Sequence, residues 1–292
     1  MNPINFMKFR PFFIVLSLSL IFLSIFSIIV WGFKPSIDFK GGSIYEIKLP
    51  NSYNTNGIKN AFAANKIAIN TISSTGPHTY LIKFIDISQT QKVKLDASLK
   101  IADKDFTALQ FQTLGPSLGK ELLQKTLFAV VLSAIALLIF IGTRFSDFTF
   151  GAGAILAMFH DAIILIGAFS LLGHFFGAEL DALFVTALLT TLSASVHDTV
   201  VTFDRIRELK KQQYRLDWVS LVNQALTETI VRSFNTSMTV VFMLFALVVL
   251  GGETTRWFSM ALLIGVVCGT YSSTGVAIPL VLLFKDLQSK KK

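Results

Sequence analysis

The stretch Leu180–Phe203, LDALFVTALLTTLSASVHDTVVTF, decides how this chain must be read. It is helix-compatible, mostly apolar and long enough to cross the roughly 30 Å hydrocarbon core of a bilayer, for which about 20 residues suffice. It also carries His197 and Asp198, which hydrocarbon does not accept without a reason. Working outward, five more stretches have similar length and character: Phe12–Phe33, Leu122–Gly142, Phe150–Gly173, Ile230–Leu250 and Phe258–Phe284. Composition agrees, since 52% of the 292 residues are apolar, 28 are Phe and only 15% are charged, against about 25% charged in a soluble domain. So much hydrocarbon needs lipid as its solvent, which excludes a water-soluble enzyme, disorder, coiled coil and collagen. The single cysteine, Cys268, lies in an apolar run and excludes an intrachain disulfide or a Cys-rich metal site.

Charge sets the expected orientation. Lys8, Arg10, Arg144, the cluster Arg205/Arg207/Lys210/Lys211/Arg215, Lys285 and Lys290–Lys292 all fall on one side, whereas the short opposite loops Gly173–Glu179 and Gly251–Trp257 hold only Arg256 as a basic residue. By the positive-inside rule both termini are cytoplasmic, and the net charge of +8 reads as topology rather than as nucleic-acid binding. The first span follows Lys8 and Arg10 as a signal peptide would. It is too long for an h-region and lacks a small-x-small cleavage site, so it reads as an uncleaved anchor. Lys34–Lys120 holds 11 lysines, but long loops translocate regardless of charge, so it reads as an external domain.

Within that domain Ser43–Leu49 alternates as a half-buried strand does, Thr55–Lys66 has helical spacing, Ala68–Ser73 and Tyr80–Ile85 read as strands around a Gly76-Pro77 turn, Ser88–Ala102 reads as a capped helix, and Ala108–Leu114 as a last strand. The order β-α-β-β-α-β is the split-βαβ, ferredoxin-like pattern, with an irregular α+β cap as the alternative. The expected architecture is a multi-pass α-helical membrane protein: residues 1–33 N-terminus and first span, 34–120 external α+β domain, 121–285 spans two to six, 286–292 a basic tail.

The polar residues inside spans are the functional candidates. His160 and Asp161 lie about 12 residues into the third span, near mid-membrane. In the fourth, Thr191, Ser195, Asp198, Thr202 and Arg205 share one helical face, and its hydroxyls can bond a carboxyl group. Arg232 opens the fifth span at a depth matching Asp198, so the two can neutralise one another. The amphipathic run Asp217–Val231 before it is expected to lie along the inner interface. Bland readings stand beside these: Asp204–Glu208 as a solvated helix end, and His160/Asp161 as a hydrogen-bonded pair that locks helices. Neither His-Asp pair has i, i+4 ligand spacing, which argues against zinc. Asn235-Thr236-Ser237 matches a glycosylation sequon but sits at the cytoplasmic edge. No Walker A, G-x-S-x-G or H-E-x-x-H sequence occurs, so an enzyme is not expected. Gly265 and Gly269, with Gly151, Gly153, Gly167 and Gly275, suit close helix packing.

Taken in order, Gly32–Gly42 (GFKPSIDFKGG), Leu114–Leu122 (LGPSLGKEL), His197–Glu208 (HDTVVTFDRIRE), Arg232–Thr239 (RSFNTSMT) and Gly265–Leu280 (GVVCGTYSSTGVAIPL) make the chain resemble the SecF family over nearly its full length. His197 stands where that family usually has Asn, and Ser233 where it usually has Thr. The resemblance implies six spans forming half of an RND-like bundle, an obligate SecD partner, and a location in the bacterial cytoplasmic membrane. It further implies a role in pulling exported, unfolded polypeptide outward after SecYEG and SecA, with YajC and YidC as further candidate partners and a proton or sodium gradient in place of a cofactor. It maps the ion path onto Asp198 and Arg232, with His197, His160, Asp161, Thr191 and Thr202 in support. Low-dielectric surroundings favour a protonated carboxyl and a nearby guanidinium the ionised one, so moving Arg232 would switch proton affinity. A structural subunit that carries no ion, or half of a small-molecule exporter, are the alternatives.

The topology is directly testable. A reporter fused near Asn70 or Gly76 is expected outside and one after Lys292 inside; a cytoplasmic Asn70 overturns the six-span reading.

Overall fold

The computed structural model describes residues 4–50, 55–145, 147–213 and 215–290; Lys291 and Lys292 of the expected basic tail lie outside them. Six long apolar helices are present, and the protein is a multi-pass membrane protein. Helix α1 (Arg10–Trp31) follows a 3₁₀ turn at Phe6–Phe9 and leads into a short helix α2 (Ile37–Lys40). The α/β domain is β1 (Gly42–Lys48), α3 (Thr55–Ala64), β2 (Ile69–Gly76), β3 (Thr79–Phe84), α4 (Gln89–Ala102) and β4 (Thr107–Leu114). Then come α5 (Pro116–Arg144), α6 (Phe148–Phe176), α7 (Ala182–Gln212), α8 (Trp218–Leu250), α9 (Glu253–Ser272) and, after a π-helical turn at Ser273–Ala277, α10 (Ile278–Ser289).

The domain's four strands pair antiparallel in the order β2-β3-β1-β4. Tyr45 and Ile47 of β1 and Ile82 and Phe84 of β3 point to one face, where Ile58 and Phe62 of α3 and Leu95 and Leu99 of α4 close a core. Helix α4 starts where the Ser88 signal placed it, because Ser88 and Gln91 complete a capping box. Burial pushes the Tyr45 phenol up, and its 2.5 Å hydrogen bond to the Asp96 carboxylate adds to this.

Two backbone contacts tie this domain to the helices. Gly41 has φ +78°, and a Cβ on it would lie 2.7 Å from Pro116 Cα; a Cβ on Gly119 would lie 2.7 Å from Gly41 N. The Phe39–Gly42 turn therefore fuses to the first turn of α5, which begins at Pro116 rather than at residue 121 because proline suits the first helical position. On the other side the α6–α7 loop holds the sheet: Lys83 pairs with Glu179 at 2.6 Å, Thr71 donates to Glu179, and Ser36 N donates to Leu180 O at 2.8 Å.

In the bundle, α6, α7 and α9 form the centre, and α1, α5 and α8 lie outside. Helix α1 inverts the soluble pattern: Ser17, Ser24 and Ser27 are buried while Phe12, Phe22 and Ile29 face outward. Ser24 packs so closely on Gly167 of α6 that a Cβ there would overlap it, and Ser170 Oγ donates to Ser27 O and Gly32 O. The glycines of the sixth span meet helices of this same chain, Gly265 against Thr191 and Gly269 against Ser195 of α7, and Gly275 against Phe13 of α1.

One expectation is corrected. Asp217–Val231 is no separate interfacial helix but the first part of a continuous 33-residue α8, about 50 Å long at 1.5 Å per residue. Its apolar side, Leu221, Val222, Ala225 and Leu226, is buried in the core with Phe203, Ile206 and Leu209 of α7, which offers the hydrophobic surface that lipid was expected to supply. At the α7 end Arg205 pairs with Glu228 of α8 and with Glu208, and Arg144 with Asp204, all of these side chains partly exposed.

Glycine substitutions should grade with the space available. Gly265→Ala forces overlap with Thr191 and is expected to destabilise by about 1–3 kcal/mol, as overpacking does. Gly269→Ala, with Ser195 Cβ at 3.0 Å, should cost less, and Gly151→Ala, whose nearest neighbour would be 4.0 Å away, should be silent. Thermal melting in detergent checks the order; equal effects would contradict the packing described.

Candidate functional site

Two carboxylates lie inside the bundle, and a pair of adjacent serines touches both. Asp161 of α6 is 4% exposed; its Oδ1 meets His160 Nδ1 at 2.9 Å, and its Oδ2 accepts from Ser195 Oγ of α7 at 2.5 Å and from Ser272 Oγ of α9 at 2.7 Å. Asp198 of α7 is half-buried; its Oδ1 accepts from Ser233 Oγ of α8 at 2.7 Å and its Oδ2 from Ser273 Oγ at 3.2 Å. Ser272 and Ser273 thus hold one carboxylate each, on two different helices.

The local sequence explains why neighbouring serines can do this. Successive helical residues diverge by about 100°, so Ser272 turns toward α6 while Ser273 turns toward α7 and α8. Directly after them the helix widens into the π-turn Ser273–Ala277. Pro279 has no N–H for the carbonyl of Gly275, four residues back, and the widened turn takes up that break.

The same 100° step separates Ser233 from Arg232. With Ser233 turned in to Asp198, Arg232 is left on the exposed side of α8. The neutralising Asp198–Arg232 pair expected from matching depth is therefore not formed, and Asp198 is satisfied by two hydroxyls instead. The hydroxyl face of α7 is also corrected. Ser195 bonds to Asp161 rather than Asp198, while Thr191 and Thr202 donate back to the Leu188 and Asp198 carbonyls of their own helix. That stripe faces the glycines of α9, which approach too closely for longer contacts. His197, next to Asp198, is exposed. His160 and Asp161, read as either a lock or a support, are bonded to each other and to α7 and α9, and reach Ser17 of α1 only through Tyr271.

Asp198 stands between two grooves, lining one itself and the other through its serine partners. The first, of about 830 Å³, runs between α7, α8 and α9 in the half of the bundle nearer the α/β domain and is lined by Leu262, Met243, Gly265, Ser195, His197 and Asp198. The second, of about 470 Å³, lies between α8 and α9 in the half nearer the chain termini and is lined by Phe13, Thr202, Thr229 and both serine partners of Asp198. A carboxylate at such a junction can pass a cation from one groove to the other.

Sequence reasoning missed Tyr271, Ser272, Ser273, Ser233 and Ser17 as participants. A run of hydroxyl residues inside an apolar span, Thr270–Thr274, was the available signal, since each hydroxyl there needs a partner.

Comparison with known proteins places the whole arrangement. A family model described as protein export membrane protein SecD/SecF, C-terminal, matches residues 94–287. The protein translocase subunit SecF of Thermobaculum terrenum is 37% identical over 92% of this chain and 90% of its own length. The chain belongs to the SecF family. The SecF subunit of Haemophilus influenzae is 34% identical over 94% of this chain and 84% of its own length. Among solved structures, SecDF from Thermus thermophilus, a translocon-associated membrane protein, superposes with a TM-score of 0.85 at 31% identity over 98% of this chain. A structure of SecDF in the super-membrane-facing form superposes with a TM-score of 0.73 over 100% of it, also at 31% identity. This SecF-family chain spans about two fifths of each of those SecDF chains, 39% and 40%.

Proposed function

We propose that this chain is the SecF half of a SecD–SecF complex that uses a proton or sodium gradient to promote late-stage export of unfolded polypeptide. In this reading the complex sits in the bacterial cytoplasmic membrane beside SecYEG, takes over from SecA, and has YajC and YidC as further partners. Both termini are inside, and the α/β domain, read as ferredoxin-like from its strand and helix order, is outside. The protein is a transport subunit rather than an enzyme and needs no cofactor, because the gradient supplies the free energy.

The observation that carries the reading is Asp198. It lines one groove itself and borders a second through Ser233 and Ser273, and among the described residues its carboxylate is held by hydroxyls. Hydroxyls can bond either protonation state of a carboxyl, so the site can load and unload without breaking its lining. Arg232 lies on the exposed face of α8, a helix with few buried side chains, where a second six-span bundle would sit. A rotation of α8 that exchanges Ser233 for Arg232 at Asp198 would favour the ionised form and release the proton. Through Lys83–Glu179 and the Gly41–Gly119 contact, helix movements reach the external domain directly.

Asp198→Asn preserves shape and should leave expression and SecD association unchanged while abolishing gradient-stimulated release of a preprotein from membrane vesicles. Arg232→Lys keeps the charge but loses the planar fork, so a partial to severe defect is expected. His197→Asn should be nearly silent, because the imidazole is exposed and holds neither carboxylate. Wild-type release from Asp198→Asn would leave a purely structural subunit as the better reading.

A further inference from the structure

His160 lies on a third groove, of about 550 Å³, between α1, α6 and α10. Its wall includes Ser17 in the middle of the bundle and Arg10 and Asp286 at the end that carries both termini. From that groove a continuous chain of hydrogen bonds enters the protein. Ser17 Oγ meets Tyr271 Oη at 3.3 Å, Tyr271 Oη meets His160 Nε2 at 2.8 Å, His160 Nδ1 meets Asp161 Oδ1, and Asp161 Oδ2 meets Ser195 Oγ. Ser195 lines the large groove on the opposite side, in the other half of the bundle. The His160–Asp161 pair thus stands between a groove in the half of the bundle nearer the α/β domain and one in the half nearer the chain termini.

Resting on the ion-path reading of Asp198, we propose that Asp161 is a second proton-carrying carboxylate, that His160 relays its proton across the bundle, and that Ser272–Ser273 link it to Asp198. Three observations separate this from a helix lock. First, Asp161 is buried with no Lys or Arg partner among the described residues, and its one possible cation is His160 itself. A permanent buried charge so placed is costly, whereas a carboxyl that alternates between charged and neutral forms with its imidazole is not trapped in either. Neighbouring Tyr271 is neutral or anionic, never cationic, and cannot serve as a counter-ion. Second, the chain of bonds emerges in grooves on both sides, which a lock between helices does not require. Third, the serine on Asp161 is adjacent in sequence to the serine on Asp198, at the start of the π-turn. A change at one carboxyl that shifts the turn therefore moves the donor of the other.

The transfer balances without a further reactant. With Asp161 ionised, His160 donates Nδ1–H to it and accepts at Nε2 from the Tyr271 hydroxyl, which accepts in turn from Ser17. A proton leaving Asp161 for His160 Nδ1 while Nε2–H is lost toward the groove returns the ring to neutrality; the reverse sequence loads the carboxyl. In either direction one N–H bond forms as another breaks. An imidazole in this position passes protons and has no means of passing sodium, so the inference also assigns the proton as the ion on this branch.

The test uses the complex with SecD in liposomes that enclose a pH-sensitive dye, under an imposed proton gradient. Asp161→Asn and His160→Gln should lower proton uptake per assembled complex by about tenfold or more, as loss of a positioned proton carrier does. Asp161→Glu should restore part of it, which a mere loss of packing would not allow. Tyr271→Phe should slow uptake less, because His160 itself borders the groove. Wild-type uptake by an assembled Asp161→Asn complex, alongside loss in Asp198→Asn, overturns this inference and leaves the proposed function intact; wild-type uptake in both overturns both. Should Asp161→Asn fail to assemble, difference infrared spectra of wild-type and Ser272→Ala complexes decide. A protonated-carboxyl band moved by removal of the Ser272 hydroxyl supports the proposal, and no such band overturns it.

Discussion

The Asp161 carboxylate takes hydrogen bonds from α6, α7 and α9, and these helices form the centre against which the others lean. In lipid there is no water to replace a lost donor, so each of those bonds holds its helix in place and in rotation. A hydrogen bond to a charged group contributes about 1.5–3 kcal/mol, and leaving the acceptor unsatisfied costs more than the bond was worth. Close approach makes the arrangement possible. Gly265 and Gly269 let α9 come near α7, so that Ser272 joins Ser195 on one Asp161 oxygen, and Ser24 of α1 sits directly on Gly167 of α6, which brings Ser17 to Tyr271.

This dependence explains where the bundle is rigid and where it can move. The central helices are bound through small residues and buried hydroxyls. Helix α8 touches Asp198 through Ser233 and is anchored mainly at its start, where Leu221, Val222 and Leu226 are buried. Its second half packs on α9 along one side, where Leu244 is buried and Ser237 accepts from Thr270, while Phe242, Phe245 and Leu250 on the other side are exposed. The π-turn after Ser272 gives α9 and α10 a place to bend near both carboxylates.

The α/β domain is joined to the membrane part at two separated points rather than hung from a linker. One lies at the start of α5, where Gly41 and Gly119 bring backbone onto backbone, and the other at the α6–α7 loop, where Glu179 receives Lys83 and Thr71. Helix α6 carries Asp161 and α7 carries Asp198, so the loop that joins the two carboxylate-bearing helices is also the one that grips the sheet. Any tilt of α6 against α7 is therefore delivered to the domain as a displacement of Lys83 and of the strand that carries it.

Much was legible from the chain alone because hydrocarbon imposes blunt rules. Length and apolar composition determine six spans, period-two alternation marks β1, and Ser88 with Gln91 marks the start of α4; these are local properties that no distant residue needs to supply. Asp161, Asp198 and His160 stand out for the same reason, as groups whose cost in lipid is visible one residue at a time. Their partners were not legible. Which way a side chain turns depends on a 100° step and on which helix stands opposite, so Ser233 faced Asp198 where Arg232 was expected, and Ser195 went to Asp161. The 217–231 segment looked suited to an interface because its apolar side was plain, but only the packed structure supplied α7 as the surface that covers it. Sequence determined what must be buried and what must be satisfied; tertiary structure decided by whom, because hydrogen-bond partners across a bundle are chosen by helix rotation and close approach, which no local pattern encodes.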